Sequence, residues 1–228
     1  MKELYKKYHH ALPVLIYFAV YMAWFNYIET HRAASYHVIH VALDDKIPFC
    51  EFFIVPYLIW FGYVAWIVVY LFFKDKEGYC RACTFLMTGM TVFLLVSTFF
   101  PNVQHLRPYY MARDNVFTHM VKYLYSMDTP TNLWPSIHVY NSIAVYIAVA
   151  HNERLSSKPV VKNGCFVLST LIILATMFLK QHSAFDVMTA FIMAAVVYVV
   201  VYRMDVVKSM QKSISHRRNR KSYRAIIK

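Results

Sequence analysis

The uncharged stretch FFIVPYLIWFGYVAWIVVYLFF, residues 52–73, decides the fold because its 22 residues are long and apolar enough to cross a bilayer as one helix. Five further stretches also lack Asp, Glu, Lys and Arg, and they comprise residues 11–28, 82–100, 134–150, 163–179 and 187–202. The sequence therefore predicts an all-α polytopic membrane protein with six transmembrane helices in one bundle. The last three stretches are short and need interfacial residues or a thin bilayer to span it.

Composition agrees with a membrane protein. Of the 228 residues 59% are hydrophobic and only 16% are charged, which lies outside the range of ordinary soluble domains. The sequence shows no internal repeat and no second domain, so residues 1–228 are predicted to form one membrane domain with a basic tail at 203–228. That tail either fixes the topology or lies on anionic lipid headgroups. Nucleic-acid binding is not expected, because the basic run lacks interleaved aromatic residues and follows a membrane span.

The distribution of basic residues predicts the orientation in the membrane. Six spans place both termini on one side, together with the loops at residues 74–81 and 153–162. That side carries 18 of the 24 Lys and Arg residues, so the positive-inside rule predicts that both termini are cytoplasmic. The opposite side carries two long connections, residues 31–51 and 101–133, of which the second is rich in polar side chains.

Three polar clusters fall on this predicted extracytoplasmic side. One of them is His-Ser-Ala-Phe-Asp at residues 182–186. On a helix His182 and Asp186 lie four residues apart and share a face, so the carboxylate can hold one imidazole nitrogen and leave the other as a nucleophile or base. A plain pair at the entry of a helix is the alternative.

The other two clusters are suited to binding an anion. Pro135 is favourable in the first turn of a helix, where free N–H groups attract phosphate, Ser136 adds a hydroxyl donor, and His138 lies one turn further as a general acid. Arg107, followed by Pro108, offers a planar fork for phosphate oxygens, or alternatively contacts lipid headgroups. Lys180 either adds a cation to this site or ends the fifth span.

These elements resemble the type 2 phosphatidic acid phosphatase superfamily over about the second half of the chain. The family includes lipid phosphate phosphatases, undecaprenyl pyrophosphate phosphatases, and the inositol phosphorylceramide and sphingomyelin synthases. Its motifs are Lys-x6-Arg-Pro, Pro-Ser-Gly-His and Ser-Arg-x5-His-x3-Asp. The matching elements are Arg107-Pro108, Pro135-Ser-Ile-His138 and His182-x3-Asp186, in the same order.

The resemblance implies a metal-independent enzyme without a cofactor that acts on a lipid phosphate in the bilayer. His182 would attack phosphorus to form a phosphohistidine, Asp186 would orient it, and His138 would protonate the leaving group. Arg107 and Ser136 would hold the phosphoryl oxygens. The expected reaction is hydrolysis of a phosphatidic acid-like lipid or an isoprenyl pyrophosphate.

The chain departs from the family motifs at three places. Phe100 stands where the first motif has Lys, Ile137 replaces the Gly of the second motif, and Ala175-Thr176 replaces the Ser-Arg of the third. Lys180 lies four residues after Thr176, and we predict that it replaces the missing Arg. Reduced motifs of this kind also resemble the phosphotransferase branch, so transfer of a phospho-headgroup to a hydroxyl acceptor is the alternative reaction.

Two further interpretations are weaker. A lipid-binding or transport protein would use the basic pocket without turnover, but transporters more often carry ionisable residues within spans and show repeat symmetry. A metal site could draw on His105, His119, His138 and His182, but their spacing matches no compact ligand pattern. No metal site is therefore predicted.

Overall fold

The computed structural model describes residues 9–31, 33–205 and 207, and most of the predicted basic tail lies outside them, as does the start of the predicted cytoplasmic N-terminus. The described chain is helical, with one short two-stranded sheet. In chain order its elements are α1 (Leu12–Thr30), β1 (His37–Val38), α2 (Ala42–Lys46), α3 (Ile54–Lys74), α4 (Lys76–Phe99), β2 (Asn102–Val103), α5 (Val116–Met127), α6 (Ile137–His151), α7 (Glu153–Ser156), α8 (Pro159–Phe178) and α9 (Ala184–Tyr198), and a π-helical turn follows over Val199–Arg203.

Five helices in the described part of the chain are long and apolar enough to cross a membrane: α1, α3 with the 3-10 turn Glu51–Phe53 before it, α4, α8, and α9 with its π-helical turn. The predicted all-α membrane fold is confirmed. The fourth predicted span is α6, which has only 15 residues. At 1.5 Å per residue it covers about 22 Å, less than the roughly 30 Å of a hydrocarbon core. The count of six full-length spans is therefore not confirmed.

The short helix α6 lies at the centre of the bundle. On one side Val145 and Val149 pack in a buried cluster with Ile67 of α3 and Ile172 of α8. On the other side Val139, Tyr140 and Ala144 pack in a second cluster with residues of α4 and α9. Because protein surrounds α6, its polar ends meet other protein groups and need not reach the lipid headgroups.

The outer surfaces of the bundle are apolar. Leu15 and Phe18 of α1, Phe61 of α3 and Ile192 of α9 are all exposed in the isolated chain. In water such a surface would favour aggregation, whereas in a bilayer these side chains contact acyl chains. The exposed face of each long helix is thus the expected lipid-facing surface.

Helices α4 and α6 approach each other closely at a glycine. A β-carbon built on Gly89 would lie 2.1 Å from the ring of Tyr140. Tyr140 is fully buried, and its hydroxyl donates to the carbonyl of Phe85 at 2.8 Å. The ring therefore cannot move aside without losing a buried hydrogen bond.

We expect Gly89→Ala to destabilise the protein by about 1–3 kcal/mol, the usual cost of overpacking a core. Thermal unfolding in detergent measures the effect. Gly62→Ala in α3 is the matched control, since a β-carbon there meets no neighbouring atom within 4 Å. Equal unfolding temperatures for the two variants would contradict the close approach.

The two long connections predicted on the same side meet at one end of the bundle. Strands β1 and β2 pair in parallel, with His37 opposite Asn102. Val103 also forms a bridge to Thr131, which belongs to the segment that leads into α6. The side chain of Asn102 is buried, and its Oδ1 accepts hydrogen bonds from the backbone N–H groups of Leu133 and Trp134 at 2.9 and 3.0 Å. This end of the bundle, which we call the loop end, positions the candidate site.

Candidate active site

His182 lies in a tight turn between α8 and α9 at the loop end. The backbone N–H groups of Gln181 and His182 both donate to the carbonyl of Thr176 at 3.0 Å, which fixes the turn against the end of α8. Helix α9 begins at Ala184, with Ser183 as its N-cap. The prediction that His182 and Asp186 share a helix was therefore wrong, because His182 precedes the N-cap. Their side chains nevertheless meet, with Nδ1 of His182 3.1 Å from Oδ2 of Asp186.

The carboxylate of Asp186 is held by the protein on several sides. It is 0% exposed, and besides His182 its Oδ2 accepts hydrogen bonds from the backbone N–H of Ser183 at 3.1 Å and from Nε2 of Gln104. A carboxylate held in this way keeps the proton of His182 on Nδ1, which leaves the lone pair of Nε2 free. The contact with Asp186 uses Nδ1 of His182, so it does not engage Nε2, the nitrogen that a nucleophile needs.

His138 stands opposite His182 in the first turn of α6. The centroids of the two imidazole rings are 5.7 Å apart. The ring of His138 packs on Tyr57 at 4.7 Å and on Trp60 at 4.2 Å, both from α3. These aromatic rings hold His138 in place on the side of α3, and its Nδ1 is buried without a hydrogen-bond partner among the described residues.

Ser136 is the N-cap of α6, and its Oγ accepts a hydrogen bond from the N–H of Val139 at 3.3 Å. The helix begins at Ile137, so the prediction that Pro135 occupies its first turn was wrong. The reason is that Ser136 provides the cap, which leaves Pro135 one residue before the cap. Ser136 is fully buried, and its hydroxyl proton is still available as a donor.

Arg107 lies beside the His182 turn. Its Nη1 donates to the carbonyls of Tyr125 at 3.2 Å and Asp128 at 2.8 Å, and its Nη2 donates to Oε1 of Gln181 at 2.7 Å. Burial lowers the pKa of the Arg107 guanidinium, and the Asp128 carboxylate partly offsets this effect. Burial likewise raises the pKa of Asp128, while Arg107 and His182 act in the opposite direction.

Lys180 is in the same turn, where its backbone adopts a positive φ of 53°. Its ammonium donates to two backbone carbonyls of the 31–51 connection, those of Asp44 at 2.7 Å and Ile47 at 2.5 Å. Burial lowers the pKa of Lys180, and the nearby carboxylates of Asp44 and Asp45 partly offset this. Its role as a replacement for the missing family Arg stays a prediction, and in this structure its partners are carbonyls.

Sequence reasoning missed two residues that support the His182 turn. Gln104 is buried and binds Asp186, and a single Gln in a polar loop gives no signal of that contact. Asp44 is also buried; its Oδ1 accepts from the N–H of Ala184 at 2.7 Å and its Oδ2 from Oγ of Ser183 at 2.6 Å. The acidic pair at residues 44 and 45 is visible in the sequence, but the residues that Asp44 binds, Ser183 and Ala184, lie about 140 residues away.

A family model described as the PAP2 superfamily matches residues 78–209. The chain belongs to the PAP2 superfamily. Comparison with curated proteins and with solved structures returned no match.

The PAP2 match contains all six predicted site residues. They are Arg107, Ser136, His138, Lys180, His182 and Asp186. The match leaves out α1, α2 and α3, so Asp44, Tyr57 and Trp60 contact the site from outside it. PAP2 membership supports an enzyme of the phosphatase or phosphotransferase type that acts on lipid phosphates.

Proposed function

We propose that this PAP2 protein is a membrane lipid phosphate phosphatase that works through a phosphohistidine at His182. The contact of 3.1 Å between Nδ1 of His182 and Oδ2 of Asp186 carries the proposal, because it leaves Nε2 as the nucleophile. The substrate is a phosphomonoester or pyrophosphate of a lipid, either phosphatidic acid-like or an isoprenyl pyrophosphate. Arg107 and Ser136 bind its phosphoryl oxygens.

In the first step Nε2 of His182 attacks phosphorus, and the bond from phosphorus to the leaving oxygen breaks. His138 gives a proton to that oxygen as general acid. Asp186 stabilises the imidazolium that forms on His182 through the hydrogen bond to Nδ1. In the second step His138 takes a proton from water, the water oxygen bonds to phosphorus, and the bond to Nε2 breaks, which releases phosphate.

The second candidate is transfer of the phosphoryl group or phospho-headgroup to a hydroxyl of another lipid. His182 is only 3% exposed, and Tyr57 and Trp60 form an aromatic wall against His138. A site with little access to water favours an alcohol over water as acceptor in the second step. Separating the products by chromatography distinguishes the two reactions, since hydrolysis releases inorganic phosphate and transfer gives a new phospholipid.

The proposed site faces the extracytoplasmic side of the membrane. Support comes from the 18 of 24 Lys and Arg residues on the opposite side of a six-crossing chain, by the positive-inside rule. The exposed residue Lys122 of α5 lies at the loop end, so Lys122→Cys gives a labelling site there. In intact cells an impermeant thiol reagent is expected to label Lys122→Cys. Labelling only after lysis would show that the loop end faces the cytoplasm and would contradict the proposed orientation.

The direct test uses the purified full chain in detergent. The substrates are phosphatidic acid, an isoprenyl pyrophosphate, and a ceramide with an inositol lipid, all with EDTA present. We expect one of them to be converted by the wild type and none by His182→Ala. Activity that EDTA abolishes, or that survives in His182→Ala, would overturn the proposed mechanism.

Lys180→Ala tests whether this ammonium binds the phosphate. If Lys180 replaces the missing family Arg, loss of a charged hydrogen bond is expected to raise KM about tenfold. The matched control is Lys46→Ala, an exposed lysine at the end of α2. Unchanged kinetics in Lys180→Ala would show that the ammonium only holds the carbonyls of Asp44 and Ile47.

A further inference from the structure

Two buried N–H donors beside His182 have no hydrogen-bond partner in the described part of the chain. They are Nε2 of Gln181 and Nε of Arg107. Gln181 is 0% exposed, and it directly precedes His182. Buried polar groups are normally paired, so these two donors, on residues that contact each other, are available to an acceptor that binds here.

The orientation of the Gln181 amide is fixed by chemistry. Nη2 of Arg107 lies 2.7 Å from the amide oxygen Oε1. A guanidinium only donates hydrogen bonds, so the amide must turn its oxygen toward Arg107 and its NH2 group away. Gln181 therefore has two roles. Its Oε1 accepts a hydrogen bond from Arg107, and its Nε2 has N–H groups left to donate.

The backbone holds Gln181 and His182 side by side. The N–H groups of Gln181 and His182 donate to the same carbonyl of Thr176, each at 3.0 Å. The two residues thus occupy one fixed turn. Donors without acceptors, next to a nucleophile, match the oxygens of an anion such as a phosphoryl group.

We propose that Gln181 is a substrate-binding residue whose Nε2 donates to a phosphoryl oxygen, while its Oε1 orients Arg107 so that Nε donates to the same group. The inference rests on the proposed function and adds to it a residue outside the motifs. Phe100 and Ala175-Thr176 stand where the family motifs carry a lysine and an arginine. A neutral donor at Gln181 supplies part of the phosphate binding that those cations would provide.

Gln181→Glu separates substrate binding from a role in orienting Arg107. The glutamate keeps the length of the side chain and an oxygen for Arg107, but it replaces the donor with a negatively charged acceptor. We expect KM to rise, and inhibition by orthovanadate to weaken, by about tenfold to a hundredfold, the effect of one hydrogen bond to a charged group. Binding is expected to recover at low pH, where the protonated carboxyl donates again.

Asn163→Asp is the matched control, since it adds the same charge at an exposed position near the start of α8, at the other end of that helix from Gln181. Wild-type KM and orthovanadate affinity in Gln181→Glu would overturn the inference. Gln181→Met is the second variant should the glutamate prevent folding. It lacks the donor, so unchanged orthovanadate affinity in Gln181→Met would overturn the inference as well.

The shift of the unfolding temperature with orthovanadate measures binding without turnover. A wild type that is stabilised by orthovanadate but converts no lipid would refute the proposed function alone, and the Gln181 variants would still be informative. A wild type that converts lipid, with Gln181 variants that bind orthovanadate equally well, would refute the inference alone. The two failures are therefore distinguishable.

Discussion

His182→Ala is expected to form no phosphoenzyme and to lose at least about a thousandfold in turnover, because removing a covalent nucleophile removes the pathway that it opens. Brief incubation of wild-type protein with a lipid carrying a radioactive phosphoryl group should label the chain. A phosphorus–nitrogen bond is labile in acid and stable in alkali, which identifies the label as phosphohistidine. The measurement is the label retained after each treatment.

His105→Ala is the matched control for this loss, since His105 is exposed in the connection that carries Arg107. It is expected to label like the wild type. Labelling of His182→Ala, or a label that survives acid and not alkali, would assign the nucleophile to another side chain.

Asp186→Asn is expected to lower kcat by about a hundredfold to ten-thousandfold with little change in KM. The amide has the same size as the carboxylate, so the fold should persist. It carries no negative charge, and so it cannot stabilise the imidazolium that forms on His182 in the first step. If its NH2 group turns toward Nδ1, it also stabilises the wrong tautomer.

Asp45→Asn provides the comparison, because Asp45 is exposed and its carboxylate pairs with His40, at 2.8 Å. Exposed pairs of this kind contribute little to stability, so its kinetics should match the wild type. An Asp186→Asn protein with near wild-type kcat would exclude Asp186 as the group that orients His182. The unfolding temperature of both variants checks that the fold is retained.

Five of the six predicted spans match long apolar helices in the described part of the chain, because bilayer solvation imposes long runs without charge. The first residues of α6 and α9 could not be predicted. Each helix begins after a serine cap, Ser136 or Ser183, rather than where the apolar run begins. Helix boundaries depend on which side chain binds the free N–H groups, and Pro135 and His182 both lie just outside as a result. The buried position of α6 permits its short length, because its ends need not reach the lipid headgroups.

The contact between His182 and Asp186 could be predicted from the sequence, but the surroundings of the candidate site could not. The spacing of His182 and Asp186 was sufficient to expect their contact. Gln104 and Asp44 reach the same turn from 82 and 139 residues away in sequence. Contacts over such distances depend on how the loops pack at the end of the bundle, and a single sequence carries no pattern for that packing.

The hydrogen bonds that the Asp44 carboxylate accepts from Ser183 and Ala184 make the His182–Asp186 motif dependent on the first third of the chain. Grafting residues 78–209 onto a foreign N-terminal half would transfer every motif residue but remove the Asp44 carboxylate beneath Ser183 and Ala184. The graft would also lose the rings of Tyr57 and Trp60 that hold His138. In this protein the motif residues therefore cannot be transferred alone. The N-terminal residues that contact them must be exchanged together with them.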